Sequence, residues 1–249
     1  MIKLVVCRHG ESVWNLENKF TGWTDVGLTE KGINEAMGCG KTLIEREFDF
    51  DIAYTSVLKR ANKTLYYCLE KMNLSNLKII KDWRLNERHY GELQGLNKLD
   101  TVKKFGYDQV QEWRRSFFKP PPKLSINSNT HPSKDKKYTN INKSLLPSSE
   151  SLKDVVYRVL PLWNDVISND LKNNLKVLIV AHGNSLRALY KIIFNVSDNK
   201  IVDFNIPTGI PMVIEFNDNL DALNSFYLGD EKEISKKIDK VKNQTKNHK

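Results

Sequence analysis

The chain has 249 residues, 40% of them hydrophobic and 10% aromatic, and a formal net charge of +9. A chain of this length and composition can bury a sizeable core without disulfides or a metal, which excludes a small stapled module. Its three cysteines, Cys7, Cys39 and Cys68, form no Cys-x-x-Cys or Cys/His ligand spacing, so buried and reduced thiols are expected.

The excess positive charge favours anionic partners, but the lysines are spread along the whole chain. Diffuse lysine is typical of a solvated surface, so neither nucleic acid nor a membrane surface is an expected partner. Met1–Cys7 is too short for a signal peptide and no apolar run approaches a membrane span. We therefore expect a cytoplasmic protein.

Short apolar runs rich in β-branched residues predict strands at Ile2–Cys7, Asp51–Thr55 and Leu77–Lys81. Apolar residues at helical spacing predict one helix from Thr29 to about Arg46. They predict a second helix that Ser56 caps and that runs to about Met72.

Residues 96–148 have a different character. Two predicted helices, Lys98–Phe105 and Gln109–Phe117, precede a polar stretch that contains several prolines. A segment this long without strand pattern is usually disordered or functional. We interpret it as a lid-like insertion.

Regular structure returns with predicted helices at Ser151–Asn169 and Ser185–Phe194 and predicted strands at Leu175–Ala181, Met212–Phe216 and Ala222–Leu228. Strands that alternate with helices predict an α/β fold. We expect three layers, α/β/α, in which a mostly parallel open sheet carries helices on both faces. Residues 1–249 would form a single domain, and the basic tail, residues 229–249, would be mobile beyond its first helical turn.

Two histidines are predicted at the carboxyl ends of strands, where open α/β sheets bind ligands. His9-Gly10 follows the first strand, and His182-Gly183 follows the strand Leu175–Ala181. A glycine lets backbone N–H groups approach a ligand closely, and the helix after His182 offers its N-terminus to an anion. Either histidine alone would more often be structural, but the pair predicts a phosphate site that uses both imidazoles.

Longer motifs carry a resemblance over residue 3 to about 230. They are Arg8-His9-Gly10-Glu11-Ser12-x-Trp14-Asn15, Phe20-Thr21-Gly22-Trp23-Thr24-Asp25, Tyr54-Thr55-Ser56-Val57-Leu58-Lys59-Arg60-Ala61, Leu85-Asn86-Glu87-Arg88-His89-Tyr90-Gly91, Trp113-Arg114-Arg115, Ala181-His182-Gly183-Asn184-Ser185-Leu186-Arg187 and Asn205-Ile206-Pro207-Thr208-Gly209. Together these motifs resemble the cofactor-dependent phosphoglycerate mutases of the histidine phosphatase superfamily.

The resemblance implies a role for each matching position. His9 would be the nucleophile that holds the phosphoryl group as phosphohistidine. Glu87 would be the general acid/base, with its pKa raised by the phosphate dianions beside it. The phosphoryl oxygens would be held by Arg8, Arg60 and His182, with uncharged donors from Asn15, Gly183 and Asn184. The other implied substrate-binding residues are Ser12, Thr21, Gly22, Arg88, His89, Tyr90, Lys98, Arg114 and Arg115.

The implied reaction is the interconversion of 3-phosphoglycerate and 2-phosphoglycerate in glycolysis and gluconeogenesis. It would be primed by 2,3-bisphosphoglycerate and need no metal, because arginines and imidazoles supply the positive charge. The partners would be small phosphorylated metabolites. The resemblance also implies a homodimer or homotetramer.

Three alternatives stay open. A phosphatase on the same fold is one, and a non-catalytic anion-binding protein is another, although the latter would be expected to lack His9, Glu87 or His182. The third, a bisphosphoglycerate synthase, tends to have glycine in place of Ser12 and Cys-Ser in place of Thr21-Gly22. Residues 124–144 match the mutase pattern only loosely, and residues 145–151 keep its Pro and Glu-Ser pattern with changes between, which leaves the order of the lid and the subunit contacts open.

Overall fold

Six strands form one sheet in the computed structural model, which describes residues 1–245. They are β1 (Ile2–Arg8), β2 (Ile52–Thr55), β3 (Lys78–Lys81), β4 (Val177–Ala181), β5 (Pro211–Phe216) and β6 (Ala222–Tyr227). The spatial order is β3-β2-β4-β1-β5-β6. The pairs β2–β3, β2–β4 and β1–β4 are parallel, and β5 is antiparallel to both β1 and β6. The predicted mostly parallel sheet is confirmed.

Helices cover both faces of this sheet, which confirms the predicted three-layer α/β/α fold. They are α1 (Val13–Leu16), α2 (Glu30–Glu45), α3 (Lys59–Lys71), α4 (Lys98–Phe105), α5 (Tyr107–Arg115), α6 (Leu152–Leu162), α7 (Ser168–Lys172), α8 (Gly183–Phe194), α9 (Asp198–Ile201) and α10 (Glu231–Lys242). A π-helical segment, Trp163–Ile167, joins α6 to α7. Within residues 1–245, no helix is long and apolar enough to cross a membrane.

Side chains alternate between the two faces along each central strand, as the pleat requires. In β1, Leu4 and Val6 pack with residues of α6 and α8 on one face. Val5 and Cys7 pack with residues of α2 and α3 on the other face. The sheet is thereby buried on both faces. The carboxyl ends of β1 and β4 lie next to each other at one edge of it. The three cysteines are free and buried, as expected.

Several helix ends differ from their predicted positions. The cap predicted for Ser56 is wrong: Leu58 is the N-cap of α3 and makes no side-chain cap bond. Helix α5 begins at Tyr107 rather than Gln109, and the helical run from Leu152 continues to Lys172. The helix starts predicted at Thr29 and Ser151 are confirmed to within one residue, and the hydroxyls of these two residues each accept a backbone N–H of the first turn.

The lid-like insertion contains α4 and α5 and then three 3₁₀ turns, Pro132–Lys134, Lys136–Tyr138 and Lys143–Leu145. Two of its side chains, Tyr138 and Leu146, are buried in a cluster with Trp23. The segment after α5 therefore packs against the loop that contains Trp23, which follows the His9-Gly10 motif. The function of this segment as a lid stays a prediction.

The tail contains more helix than its sequence predicts. A single turn was expected after Gly229, whereas α10 runs for 12 residues. Asp230 caps it by accepting the N–H of Glu233, and lysines occupy its last turn, where the helix dipole favours positive charge. The predicted mobility of the tail stays a prediction, and residues 246–249 lie outside the described part of the chain.

Candidate active site

The two histidines predicted at strand ends lie side by side. Strands β1 and β4 are neighbours with Arg8 opposite Ala181, and the backbone N–H of His9 donates to the Ala181 carbonyl at 2.9 Å. The ring centroids of His9 and His182 are 4.9 Å apart, with an interplanar angle of 63°. Both side chains are buried. The sheet topology therefore builds the paired-imidazole site.

The ring of His9 is oriented by the backbone of its own loop. Its Nδ1 lies 2.7 Å from the carbonyl oxygen of Gly10. A carbonyl only accepts, so Nδ1 carries the proton and Nε2 presents a lone pair. Burial, with the charges of Arg60 and Arg8, lowers the pKa of His9 well below 6.5. The imidazole is thus neutral and nucleophilic at Nε2.

Close backbone packing fixes the loop that carries His9. A Cβ added to Gly10 would lie 2.2 Å from the carbonyl oxygen of Gly32, so only glycine fits. The N–H of Gly10 donates to the hydroxyl of Thr64 at 3.0 Å. The loop is therefore attached to both α2 and α3.

Arg60 connects the nucleophile to the neighbouring loop. Its Nε donates to Nε2 of His9 at 3.3 Å, and its two terminal nitrogens donate to the carbonyls of Gly22 and Thr24 at 2.7 and 3.0 Å. Burial lowers the pKa of Arg60 to about 10, which leaves it charged at neutral pH. A fixed cation therefore faces the atom that would receive a phosphoryl group.

Arg8 adds a second cation with unused bonding capacity. One of its terminal nitrogens donates to the Ile206 carbonyl at 2.9 Å. Its Nε is buried and has no hydrogen-bond partner among residues 1–245. Such a donor is suited to an anionic oxygen, because an unpaired buried N–H is otherwise costly.

Glu87 lies among these cations and is buried. Its Oε1 accepts the backbone N–H groups of Arg88 at 2.8 Å and Asn184 at 3.1 Å. Burial raises the pKa of Glu87, but the bond from Arg88 and the charges of Arg8 and Arg60 outweigh it, and the pKa is lowered overall. The raised pKa expected beside phosphate dianions concerns a complex and stays a prediction. With the chain's own groups alone, Glu87 is ionised.

The same pocket contains a second group of cations: Lys98, Arg114, Arg115 and Arg187. In residues 1–245, none of these four side chains has a carboxylate within 4.0 Å, although Lys98 and Arg114 are buried. Burial, followed by neighbouring positive charges, lowers the pKa of Arg114 and Arg187 to about 9. It lowers the pKa of Lys98 well below its usual value.

Helix α10 covers this second group. Gln244, just beyond the helix, accepts at its Oε1 from Nζ of Lys98 and from a terminal nitrogen of Arg114, each at 2.9 Å. Ion pairs attach the helix to the body: Lys237 with Glu35 at 3.1 Å and Lys240 with Glu11 at 3.2 Å. The tail thus forms part of the pocket wall, to which Val241 and Gln244 contribute.

Most residues predicted for the site line one pocket. These are Arg8, His9, Asn15, Thr21, Gly22, Arg60, Glu87, Tyr90, Lys98, Arg114, Arg115, Gly183 and Asn184. Four others, Ser12, Arg88, His89 and His182, are not part of this lining, although the ring of His182 packs against that of His9. Ser12 is the N-cap of α1, and one Arg88 nitrogen donates to the hydroxyl of Tyr90 at 3.0 Å. His89 accepts the N–H of Gly91 at 3.0 Å.

The pocket also contains residues to which the sequence analysis assigned no role, although Phe20 and Arg187 stand in its motifs: Lys19, Phe20, Arg187, Val241 and Gln244. Arg187 lies one helical turn after Asn184 on α8, so helical spacing from the His182-Gly183 motif could have identified it. Nothing in the local sequence places Val241 or Gln244 near His9. In the described part of the chain, no group of three or more His, Cys, Asp or Glu residues could hold a metal ion.

Comparisons with known proteins agree with this geometry. The model of the histidine phosphatase superfamily (branch 1) matches residues 4–228. Among similar solved structures, a mycobacterial glucosyl-3-phosphoglycerate phosphatase is 20% identical with a TM-score of 0.69, over 91% of this chain and 97% of that one. The α-ribazole phosphatase of Shigella flexneri is 20% identical with a TM-score of 0.69, over 92% and 96%. The chain belongs to the histidine phosphatase superfamily, branch 1.

Proposed function

We propose that this enzyme interconverts 3-phosphoglycerate and 2-phosphoglycerate through a phosphohistidine at His9, primed by 2,3-bisphosphoglycerate. The observation that carries the proposal is the second cation group, Lys98, Arg114, Arg115 and Arg187. These side chains line the same pocket as His9 and have no carboxylate partner in residues 1–245. A substrate with a second anionic group at a fixed distance from its phosphate would pair with it.

The priming step uses the lone pair of His9 Nε2. It attacks the phosphorus of 2,3-bisphosphoglycerate, so that a P–N bond forms and a P–O bond breaks. The released alkoxide oxygen takes a proton from the medium or from protonated Glu87. Arg8, Arg60 and His182 would bind the phosphoryl oxygens, whose negative charge they stabilise through the transition state.

Transfer to the substrate reverses these bond changes. The free hydroxyl of 3-phosphoglycerate attacks the phosphorus, the P–N bond breaks, and the hydroxyl proton passes to Glu87. An ionised Glu87 fits this role as base, and its protonated form returns the proton when the other phosphoryl group moves to His9. The pocket's lining contains seven cationic side chains and one carboxylate, Glu87, so the proposed reaction needs no metal.

Exclusion of water distinguishes a mutase from a phosphatase, because a phosphohistidine that meets water releases phosphate. The cover formed by α10 and Gln244 lies against Lys98 and Arg114, the cations proposed to bind the second anionic group of the substrate. Such a cover would keep water out and so supports transfer to a bound alcohol. We also expect, from the family resemblance, a cytoplasmic homodimer or homotetramer that acts in glycolysis and gluconeogenesis.

A phosphatase is the second candidate, and the comparisons taken alone favour it. Both solved structures compared above are named as phosphatases, one of them for glucosyl-3-phosphoglycerate. At 20% identity this likeness establishes the fold and leaves the substrate open. A bisphosphoglycerate synthase is a further alternative, against which Ser12 and Thr21-Gly22 argue by resemblance.

One assay separates these candidates. Purified enzyme is given 3-phosphoglycerate in EDTA, with and without 2,3-bisphosphoglycerate, while 2-phosphoglycerate and free phosphate are both measured. The mutase predicts 2-phosphoglycerate formation that depends on the primer and is insensitive to EDTA. Phosphate release without isomerisation would establish the phosphatase, and a strict metal requirement would refute the proposed chemistry.

A further inference from the structure

Ser56 lies behind His182 and outside the pocket lining. Its hydroxyl oxygen is 2.7 Å from Nε2 of His182, and both side chains are fully buried. The sequence suggested only a helix cap for Ser56, which the structure does not bear out. Its contact with an imidazole beside His9 therefore requires another explanation.

The protons at this contact can be assigned by counting donors and acceptors. The Ser56 oxygen accepts the backbone N–H of Leu58 at 3.1 Å. The hydroxyl has one proton to donate, and Nε2 of His182 is its only hydrogen-bond acceptor within residues 1–245. If Nε2 carried a proton, it would donate to the Ser56 oxygen, and the hydroxyl proton would then be buried without a partner.

The other ring nitrogen of His182 then carries the proton. When Nε2 of a neutral imidazole accepts, Nδ1 is the N–H donor. In the described part of the chain, Nδ1 of His182 is buried and has no hydrogen-bond partner. Burial and the charge of Arg60 hold the pKa of His182 well below 6.5, so the ring stays neutral. The ring that carries this unused donor packs against the ring of His9.

We propose that Ser56 is a positioning residue that holds His182 as its Nδ1–H tautomer, so that this imidazole donates to a phosphoryl oxygen on His9. The inference rests on the phosphohistidine chemistry proposed above. The opposite tautomer would offer a lone pair to the phosphoryl oxygens and repel them. The Ser56 hydroxyl selects between the two forms without contacting the substrate.

The tautomer can be measured without any substrate. Long-range ¹H–¹⁵N NMR of protein labelled at histidine distinguishes the two neutral forms, and His182 is assigned by the loss of its signals in His182→Gln. The expected result for the natural sequence is protonated Nδ1 and unprotonated Nε2. Protonation at Nε2 would overturn the proposal, whatever the enzyme's substrate.

Variants then test the consequence for catalysis. Ser56→Ala should slow single-turnover phosphorylation of His9 by 2,3-bisphosphoglycerate about 10- to 100-fold and mix the His182 tautomers. Thr55→Val is the matched control, because it removes a buried hydroxyl that bonds the Val180 carbonyl rather than an imidazole. Ser56→Thr keeps a hydroxyl and should restore the tautomer.

Equal rates in Ser56→Ala and Thr55→Val would overturn the proposal. Failure of the natural enzyme to be phosphorylated by 2,3-bisphosphoglycerate would count against the proposed function instead. In that case phosphorylation by p-nitrophenyl phosphate would still test Ser56.

Discussion

The Nε of Arg60 lies 3.3 Å from Nε2 of His9, and the rest of the same guanidinium binds the carbonyls of Gly22 and Thr24. One planar side chain thus locates the nucleophile relative to the loop that carries Thr21 and Gly22. The contact also explains part of the lowered pKa of His9, because a nearby cation disfavours protonation.

Arg60→Lys should therefore be severely impaired although it keeps the charge. A lysine ammonium cannot make these three bonds in one plane, so both Nε2 of His9 and the loop would lose their positions. We expect the rate of His9 phosphorylation to fall about 10²- to 10³-fold, measured by rapid quench. His9→Ala serves as the reference for complete loss of both mutase and phosphatase activity. An Arg60→Lys enzyme of nearly natural rate would show that charge alone suffices.

Lys98→Met should separate the two halves of the pocket. The substitution removes a buried cation that has no carboxylate partner within residues 1–245, and it keeps most of the side-chain volume. Loss of one charge-assisted bond should lower kcat/KM for 3-phosphoglycerate about 10- to 100-fold. Hydrolysis of p-nitrophenyl phosphate, which has no second anionic group, should change little. Parallel losses on both substrates would place Lys98 in the phosphoryl site instead.

Truncation after Leu228 should lower mutase activity more than phosphatase activity. It removes α10 together with its ion pairs to Glu11 and Glu35, and it uncovers Lys98 and Arg114. Water then reaches the phosphohistidine, so phosphate release per isomerisation event should rise. The double variant Lys237→Met/Lys240→Met weakens the same attachment in the full chain and should shift the ratio in the same direction. An unchanged ratio in both proteins would assign the tail a purely structural role.

Acidification should destabilise the fold through its buried imidazoles. The pKa values of His9, His89 and His182 are lowered by burial, that of His89 to about 3. Below about pH 6.5 the unfolded chain binds more protons than the folded one, so the free energy of unfolding falls as the pH falls. Each such histidine contributes a slope approaching about 1.4 kcal/mol per pH unit.

Denaturant titrations between about pH 7.5 and pH 5 would measure this slope. His89→Gln keeps an acceptor for the N–H of Gly91 but cannot titrate. The free energy of unfolding of this variant should therefore change less steeply with pH, by up to about 1.4 kcal/mol per pH unit. A variant with the natural slope would show that folding does not lower the pKa of His89.

The sequence predicted the parts of this protein that depend on local pattern. Strand ends at Cys7 and Ala181 were close to correct because a continuous apolar run and the following His-Gly pair are local signals. The helix starts predicted at Thr29 and Ser151 were correct to within one residue, because helical apolar spacing is a local signal as well. Ser56 was assigned to the wrong role because its hydroxyl bonds an imidazole that is 126 residues distant in sequence.

The remote parts of the site could not be predicted in this way. Gln244 contacts Lys98 across 146 residues, and no periodicity in the tail points to that contact. The extent of α10 was underestimated because most of its residues are charged and Ile234 is its one buried side chain in the described part of the chain. Its ion pairs with Glu11 and Glu35 supply attachments that only the folded arrangement displays.

The amide oxygen of Gln244 occupies a place between Lys98 and Arg114 that suits an anionic oxygen. The amide oxygen of Gln244 thus accepts hydrogen bonds from both cations in place of an anion, which offsets their mutual repulsion. Any phosphate or carboxylate that takes this place must exchange for that amide. We therefore expect anion binding to be coupled to the release of Gln244 from Lys98 and Arg114, so that the affinity of the pocket for anions depends partly on how tightly that amide is held.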